Sequence, residues 1–356
     1  MTAKPPSGAF FGGGSISASE RAWAERAVKR GLLTTIQIRK ALVSREANDP
    51  KVPLEGVLVA LGYLKEPDLE TLGRTTRRIP KLAAPKPAEE IVAIYGSCTV
   101  LEPVGRGPCG SVYVAVNGDT GAKVALKVIS PNALNRPFFP RFMAGVRIAL
   151  GLRHPASARV IDAGIQDGAL YVASQLQQGT TLAEFVRSNG PLDPAQASAI
   201  LVQAAGALEE AHAAGLVHGN LKPENVFLTG RMEVRITDHG LGRADAGFLK
   251  DHADKAGTIV YSLAPEQWSR TSLPASDLYA LGVLWFFMLK GHFPFESRWF
   301  QDIRKKHEIS DPPELPGADP DLYARLLAKD PAARPSPRDV AEALAPVRRA
   351  RKAPKR

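Results

Sequence analysis

Three glycines open the chemical case. Gly105-Arg-Gly107-Pro-Cys-Gly110 lies between two strand-like runs, Thr99 to Val104 and Val112 to Val116. Glycines at this spacing let a hairpin turn bring backbone N–H groups against phosphates with no side chain in the way. The motif opens between strands and not into a helix, which argues against a dinucleotide-binding fold. Seventeen residues past Gly110, the run Val124-Ala125-Leu126-Lys127 ends an apolar strand on a cation. An isolated lysine there is a snorkelling edge residue. Behind a glycine flap it stands where an ammonium reaches the α- and β-phosphates of a nucleotide, and the combination is more specific than either part.

Further along come His218-Gly219-Asn220-Leu221-Lys222-Pro223-Glu224-Asn225, then Thr237-Asp238-His239-Gly240, then Gly257-Thr258 and Ala264-Pro265-Glu266. In this order the set resembles the signature of eukaryotic-type (Hanks-type) serine/threonine protein kinases: glycine flap, VAIK, HRDLKxxN, DFG and APE. Ser276-Asp277 and Asp330-Pro-Ala-Ala-Arg334-Pro resemble the family's buried Asp on its central helix and the late Arg that pairs with the APE glutamate, here Glu266. The resemblance runs from about Tyr95 to Pro346. It implies an α+β, bilobal protein-kinase-like fold with a small β-rich N-lobe and a large helical C-lobe.

The departures from the family carry the functional reading. HRD is His218-Gly219-Asn220, and an amide cannot accept the proton that the family's Asp takes or orients. Losing a positioned base costs about 10²- to 10⁴-fold, roughly 3–5 kcal/mol of barrier. The family's helix-C glutamate falls on Gly145, and no Asp or Glu occurs from Thr120 to Ile161. Lys127 thus lacks its usual carboxylate from that helix. Gly145 and Gly151 also weaken the helix by about 1 kcal/mol each relative to Ala. The cation that receives an activation-loop phosphate is replaced by Gly219, and Leu241 to Gly257 holds no Ser, Thr or Tyr. DFG is Asp238-His239-Gly240, with His239 expected to pack in the Phe site. One extra residue between Gly257-Thr258 and Ala264-Pro265-Glu266 is expected to disturb the peptide-docking shelf.

The resemblance implies a nucleotide site built from Gly105, Gly107, Gly110, Val112, Ala125, Lys127, Gln175, Gln177 and Phe227. Adenine would lie between Val112, Ala125 and Phe227, bonded to backbone at Gln175 and Gln177 beside a small gatekeeper, Ser174. Asn225 and Asp238 would hold Mg²⁺, and Lys222 would contact the γ-phosphate. Asn220 marks the lost catalytic Asp.

The elements that must position these residues divide the chain into five. Residues 1–18 are rich in Gly, Ser and Pro and are expected to be disordered. Residues 19–74 have helical periodicity, 75–93 form a Pro- and Lys-containing linker, 94–346 are the kinase-like domain and 347–356 a basic tail. The helical piece repeats itself weakly: Gly31-Leu-Leu33-Thr34 before a helix with Ile38, then Gly62-Tyr-Leu64-Lys65 before a helix with Leu69. Each Gly is placed to end one helix and each apolar residue to staple the next. It resembles the small all-α N-terminal domain of type II secretion ATPases and some bacterial signalling kinases. Certain members of that family bind cyclic di-GMP through Arg-Leu-Gly, here replaced by Pro53, Leu54 and Glu55, so protein docking is the expected role.

Bulk properties narrow the classes. With 356 residues there is room for a large domain plus a small one. The two cysteines, Cys98 and Cys109, exclude a disulfide scaffold and fit a reducing compartment. The first twenty residues lack the pattern of a secretory signal, and no apolar run approaches the roughly 18 residues of a membrane span. The expected location is cytoplasmic. The net charge of +10 is concentrated at Arg74 to Lys86 and in the tail. Neither stretch interleaves the aromatics that single-strand binders use, so no specific nucleic acid is expected; the tail could touch a membrane surface weakly. No metal-ligand cluster and no nucleophile with a base nearby supports another enzyme class. The expected function is a pseudokinase that binds ATP or ADP with Mg²⁺ and serves as a signalling scaffold or switch. Its protein partners would dock on the lobes or on the helical domain. The alternatives are a weakly active Ser/Thr kinase and a nucleotide-independent interaction module.

Overall fold

The computed structural model describes residues 16–33, 37–38, 41–42, 45, 52–73, 94–107, 110–129, 139–166, 169–241, 257–269 and 271–345. The 75–93 linker, Pro108 and Cys109 of the flap, most of Leu241 to Gly257 and the 347–356 tail lie outside them. The chain forms two compact units, one of residues 1–105 and 112–126, the other of 106–111 and 127–356.

In the first unit, α1 (Ala18–Lys29) starts on Ser17, whose side chain accepts from the Glu20 N–H while Glu20 reaches back to the Ser17 N–H. Helices α2 (Leu54–Ala60) and α3 (Glu66–Thr71) follow. Trp23, Ile38, Leu54, Leu58 and Leu69 fill a common core. The weak repeat has a common geometry. Gly31 and Gly62 both sit at φ +71°. The residue after each closes back on the previous helix, Leu32 N to Ala27 O at 3.1 Å and Tyr63 N to Leu58 O at 2.9 Å. This is the left-handed glycine stop that other residues adopt at a cost.

Strands β1 (Ile94–Tyr95), β2 (Cys98–Gly107), β3 (Gly110–Asn117), β4 (Lys123–Ile129), β5 (Val160–Gln166) and β6 (Ala169–Gln175) form one sheet in the order β1-β2-β3-β4-β6-β5. Along β4, Val124 and Leu126 are buried while Ala125 and Lys127, half-buried, take the other face, the two-residue period of a pleated strand. Helix α4 (Phe139–Ala149) precedes β5.

The second unit continues with β7 (Thr180–Thr181), α5 (Leu182–Asn189), α6 (Pro194–Ala213), β8 (Val226–Leu228) and β9 (Val234–Ile236), then α7 (Pro274–Lys290), α8 (Phe300–Ile309), α9 (Pro320–Leu326) and α10 (Pro337–Leu344). Strands β7, β8 and β9 make a small antiparallel sheet. Asp193 caps α6 with Pro194 at its first position. In α7, Ser276 to Met288 are buried without a break, so this helix is the centre of the core, as an all-round apolar helix must be. Among the described residues no helix is long and apolar enough to cross a membrane. The segment with the extra residue is a short 3₁₀ turn, Gly257–Tyr261, whose Ile259 and Val260 are buried with Ile303 of α8.

Candidate functional site

Lys127 finds a carboxylate, and it comes from an unexpected element. Its Nζ lies 2.7 Å from Asp238 Oδ2, with side chains 16% and 23% exposed. Burial would push the Asp238 carboxyl up, but the charge and hydrogen bond of Lys127 outweigh it and hold the acid below its ordinary value. Asp238 follows β9 with φ +64°, a left-handed conformation that Asp tolerates better than most residues. Leu241 N bonds Asp238 O at 3.0 Å and closes the turn. The expectation that Lys127 goes without a helix-C carboxylate holds for α4, yet the ammonium is anchored all the same.

At Gly145, α4 meets the turn that carries Asp238. It is buried, and a Cβ there would stand 3.3 Å from Leu216 Cδ1 and 3.4 Å from Gly240 O. A Cβ on Gly240 would in turn come 3.0 Å from the Gly145 carbonyl carbon. The backbone of α4 rests directly on the turn that carries Asp238. His239 packs there edge-on to His218 at 4.9 Å between ring centroids. Neither of its ring nitrogens has a hydrogen-bond partner among the described residues. Burial, then nearby His218, His154 and His212, hold its pKa well below the ordinary histidine value, so it is a neutral packed ring.

The loop of Asn220 is tied from beneath. Asp277, on α7, accepts from His218 N at 2.9 Å, Gly219 N at 2.8 Å and His212 Nε2 at 2.8 Å. His218 Nδ1 accepts from Asn220 N at 3.2 Å, which leaves Nε2 to donate to Thr237 O at 2.8 Å. Gly219 sits at φ +71°, where glycine pays no steric penalty. Asn225 Nδ2 donates to Asn220 O at 2.8 Å, and Asn220 itself is 3% exposed. Lys222 is half-buried just before the 3₁₀ turn Pro223–Asn225. Gln267 was not singled out by the sequence. Its amide accepts from Ala264 N at 2.9 Å and donates to Gly219 O at 3.1 Å, joining this loop to the Ala264-Pro265-Glu266 segment.

The remaining predicted residues are placed as follows. Gln175 ends β6 and its N–H is spent on Arg159 O at 2.8 Å, while its carbonyl accepts from Gln177 Nε2 at 2.7 Å. That carbonyl keeps a second lone pair for another donor. Phe227 lies half-buried in β8, paired with Thr181 and Arg235. In the first unit Val112 and Ala125 are half-buried on β3 and β4, and a Cβ at Gly105 would meet nothing. Gly107 ends β2. Gly110 differs: a Cβ there would collide with the Val128 carbonyl of β4. Its lack of a side chain serves the close approach of strands as well as any flap.

Away from the loop, Arg334 grips Glu266 with two bonds, Nη1 to Oε1 at 2.7 Å and Nη2 to Oε2 at 2.9 Å. Ser276 Oγ adds 2.6 Å to Oε1. Burial raises the Glu266 pKa, but Arg334 and Ser276 outweigh it and the acid stays below its ordinary value.

This wiring is that of a known family, and residues 98–344 match the family model of the protein kinase domain. The chain belongs to the protein kinase family. Its relatives include serine/threonine-protein kinases of bacteria. It is 34% identical to PknA of Mycobacterium tuberculosis over 277 residues, 74% of this chain and 64% of PknA. It is 30% identical to PrkC of Bacillus subtilis over 248 residues, 67% of this chain and 38% of PrkC. It is 33% identical to PkaA of Streptomyces coelicolor over 263 residues, 68% of this chain and 48% of PkaA. This kinase-family chain therefore spans between 38% and 64% of the length of these curated relatives. Its α+β architecture, a strand-rich part followed by a helical part, is the fold of the family, and further helices stand ahead of both.

Proposed function

We propose that the chain is a serine/threonine pseudokinase that binds ATP or ADP with Mg²⁺ and works as a signalling scaffold or switch. The observation that carries this reading is Asn220. Its main chain is held on both sides, by His218 and Asn225, so the loop keeps its course, but the side chain is an amide that cannot take a proton. The nucleotide contacts are better supplied. Lys127 and Lys222 are cations suited to phosphate. Asn225 turns its Nδ2 to Asn220 O, which leaves Oδ1 as an acceptor, and with the Asp238 carboxylate it makes a hard oxygen set of the kind Mg²⁺ takes. When bound, the metal would neutralise phosphate charge. The residues themselves bind and orient the triphosphate and leave the incoming hydroxyl without a base.

In this reading residues 94–346 are the kinase-like domain, and 19–74 a docking module of the type II secretion ATPase kind. Protein partners engage that module or the kinase lobes, and the 347–356 tail gives at most weak membrane-surface contact. A second reading, a slow genuine kinase, is favoured by the intact Asp277 bonds beneath the loop. A loss of about 10²–10⁴ from a typical 1–100 s⁻¹ still leaves turnover. A third, a nucleotide-independent module, draws on Lys127 and Asp238 satisfying each other.

The test is a thermal-shift titration with ATP, ADP and AMP, each with and without Mg²⁺, on the wild type, Lys127→Ala and Asp238→Ala. The expected result is a magnesium-dependent shift lost in both variants, equivalent to about 2.7 kcal/mol at 100 times Kd. No shift at millimolar nucleotide removes the first two readings. Radiolabel transfer by the wild type would favour the slow kinase, and a sharp gain in Asn220→Asp would show that only the base is missing.

A further inference from the structure

We infer that Lys329 is a covalent modification site, its amine accepting the acyl group of a small acyl phosphate or acyl thioester. The site uses none of the residues of the nucleotide reading and does not rest on it.

Lys329 stands between α9 and a 3₁₀ turn, Pro331–Ala333, and its surroundings are unusual for an ammonium. Its Nζ lies 4.6 Å from the centre of the Phe295 ring and 5.9 Å from that of Tyr279. Ring walls there take the place of part of its water. An ammonium has three donors, and the bond this one makes, to Lys306 O of α8, is long at 3.5 Å. Asp311 acts on it through space and not through a bond. A second cation shares the same ring, since Arg334 Cζ lies 4.9 Å over Tyr279. Lysines that serve as nucleophiles are those desolvated in apolar surroundings or set beside another cation. Lys329 is both, and being only half-buried it can be reached. Its main chain is meanwhile held, the carbonyl accepting from Arg334 Nη2 at 3.3 Å.

The charge balance agrees with the geometry. Burial lowers the Lys329 pKa from 10.5 to about 8, with Asp311 pulling upward and Arg334 downward. About a fifth of the amine is then neutral at pH 7.4, against about one in a thousand for an ordinary lysine. The ring faces favour the ammonium and work the other way. Other titratable neighbours are quiet at that pH: burial lowers the His307 pKa and raises that of the Tyr279 hydroxyl, so both are neutral. Glu266 is taken by Arg334, and Lys306 turns its own ammonium to Glu296 O at 2.6 Å.

In the step itself, the Nζ lone pair attacks the acyl carbon and a C–N bond forms. The bond from that carbon to phosphate oxygen or thioester sulfur breaks, its electron pair leaves with the phosphate or thiolate, and the amine proton passes to water. Nothing is oxidised or reduced. The product is a neutral amide that no longer offers a cation to the two rings or a positive charge to His307, whose pKa Lys329 helps to hold down. That change falls beside α8, whose Ile303 is buried with Ile259 and Val260.

The experiment incubates the full chain with acetyl phosphate, and in parallel with an acetyl thioester, from pH 7 to pH 10. Acetylation rates are read lysine by lysine by peptide mass spectrometry, with exposed Lys65, Lys123 and Lys305 as internal standards and Lys329→Arg to confirm the assignment. At pH 7, Lys329 should lead the standards by tenfold or more with at least one donor, and the better donor names the class. Its rate should level off above a midpoint near 8, so that the lead narrows towards pH 10. In urea the lead should vanish. A Lys329 rate at pH 7 no higher than the standards with both donors overturns the inference. So does a midpoint above 10, which would mean that the rings hold the ammonium charged, or a lead that survives unfolding.

Discussion

Two ion pairs of the second unit, Arg334 with Glu266 and Lys127 with Asp238, both close to 2.7 Å, yet they do different work. The Arg334 side chain is fully buried. A guanidinium has five N–H donors, and all are committed: two to Glu266 and one each to Ala275 O, Ala328 O and Lys329 O. It also lies 4.9 Å over the Tyr279 ring. A group so saturated can only hold structure. Lys127 is partly exposed, a flexible ammonium on a strand facing an acid on a turn, and this is the arrangement a ligand can enter. The difference teaches that distance alone does not separate scaffold from site. Saturation and access do.

The comparison breaks most visibly on the scaffold side. Arg334→Ala strands a half-buried carboxylate among buried groups, and breaking such a pair costs about 3–5 kcal/mol. Urea unfolding should record that loss, with Arg334→Lys recovering only part because it cannot fork. A loss below about 1 kcal/mol would place this pair with surface salt bridges.

Next in size is an acid sensitivity rooted in the same core. His307 bonds the Tyr279 hydroxyl at 2.9 Å, and burial, then Lys329, lowers its pKa from 6.5 to about 3. The folded protein thus binds fewer protons than the unfolded chain between those values. This contribution is complete above pH 6.5 and drains as pH falls, by up to about 1.4 kcal/mol per unit. His307→Gln should flatten that slope in unfolding measured from pH 7 to pH 4; an unchanged slope would assign it to other groups.

The smallest effect lies beside the Lys127–Asp238 pair. His239 buries two ring nitrogens that have no partner among the described residues, and an unmet buried polar group costs about 1–3 kcal/mol. His239→Phe removes that cost at the price of slight overpacking, so a net gain of roughly 1 kcal/mol is expected by calorimetry. A loss would mean that the space beside His218 is sized for imidazole.

The sequence made the scaffold side readable because it is carried by motifs. Asp277, Glu266 and Arg334 were each placed from local patterns, and the two glycine stops at 31 and 62 from their spacing. The Lys127 side was readable only as an absence. Gly145 announced a missing acid, but no local rule says that Asp238, 111 residues after Lys127, would lie 2.7 Å from it. That needs the turn, the helix and the strand assembled in space. Gly110 carries more than its motif says: a glycine expected to clear a path for phosphate also clears one for the Val128 carbonyl. Gln267 had no signal at all, since a buried glutamine bridging two backbones looks like any surface glutamine in one dimension.

The carboxylate of Asp277 has one further consequence, for the way the molecule breathes. It pins the amide hydrogens of His218 and Gly219 from a position 1% exposed to water. Those hydrogens can be traded for deuterium only when α7 lets go, and α7 is the centre of the core. In a family whose catalytic loop is known for its chemistry, this loop should rank among the slowest-exchanging segments of the chain, a clock for global opening.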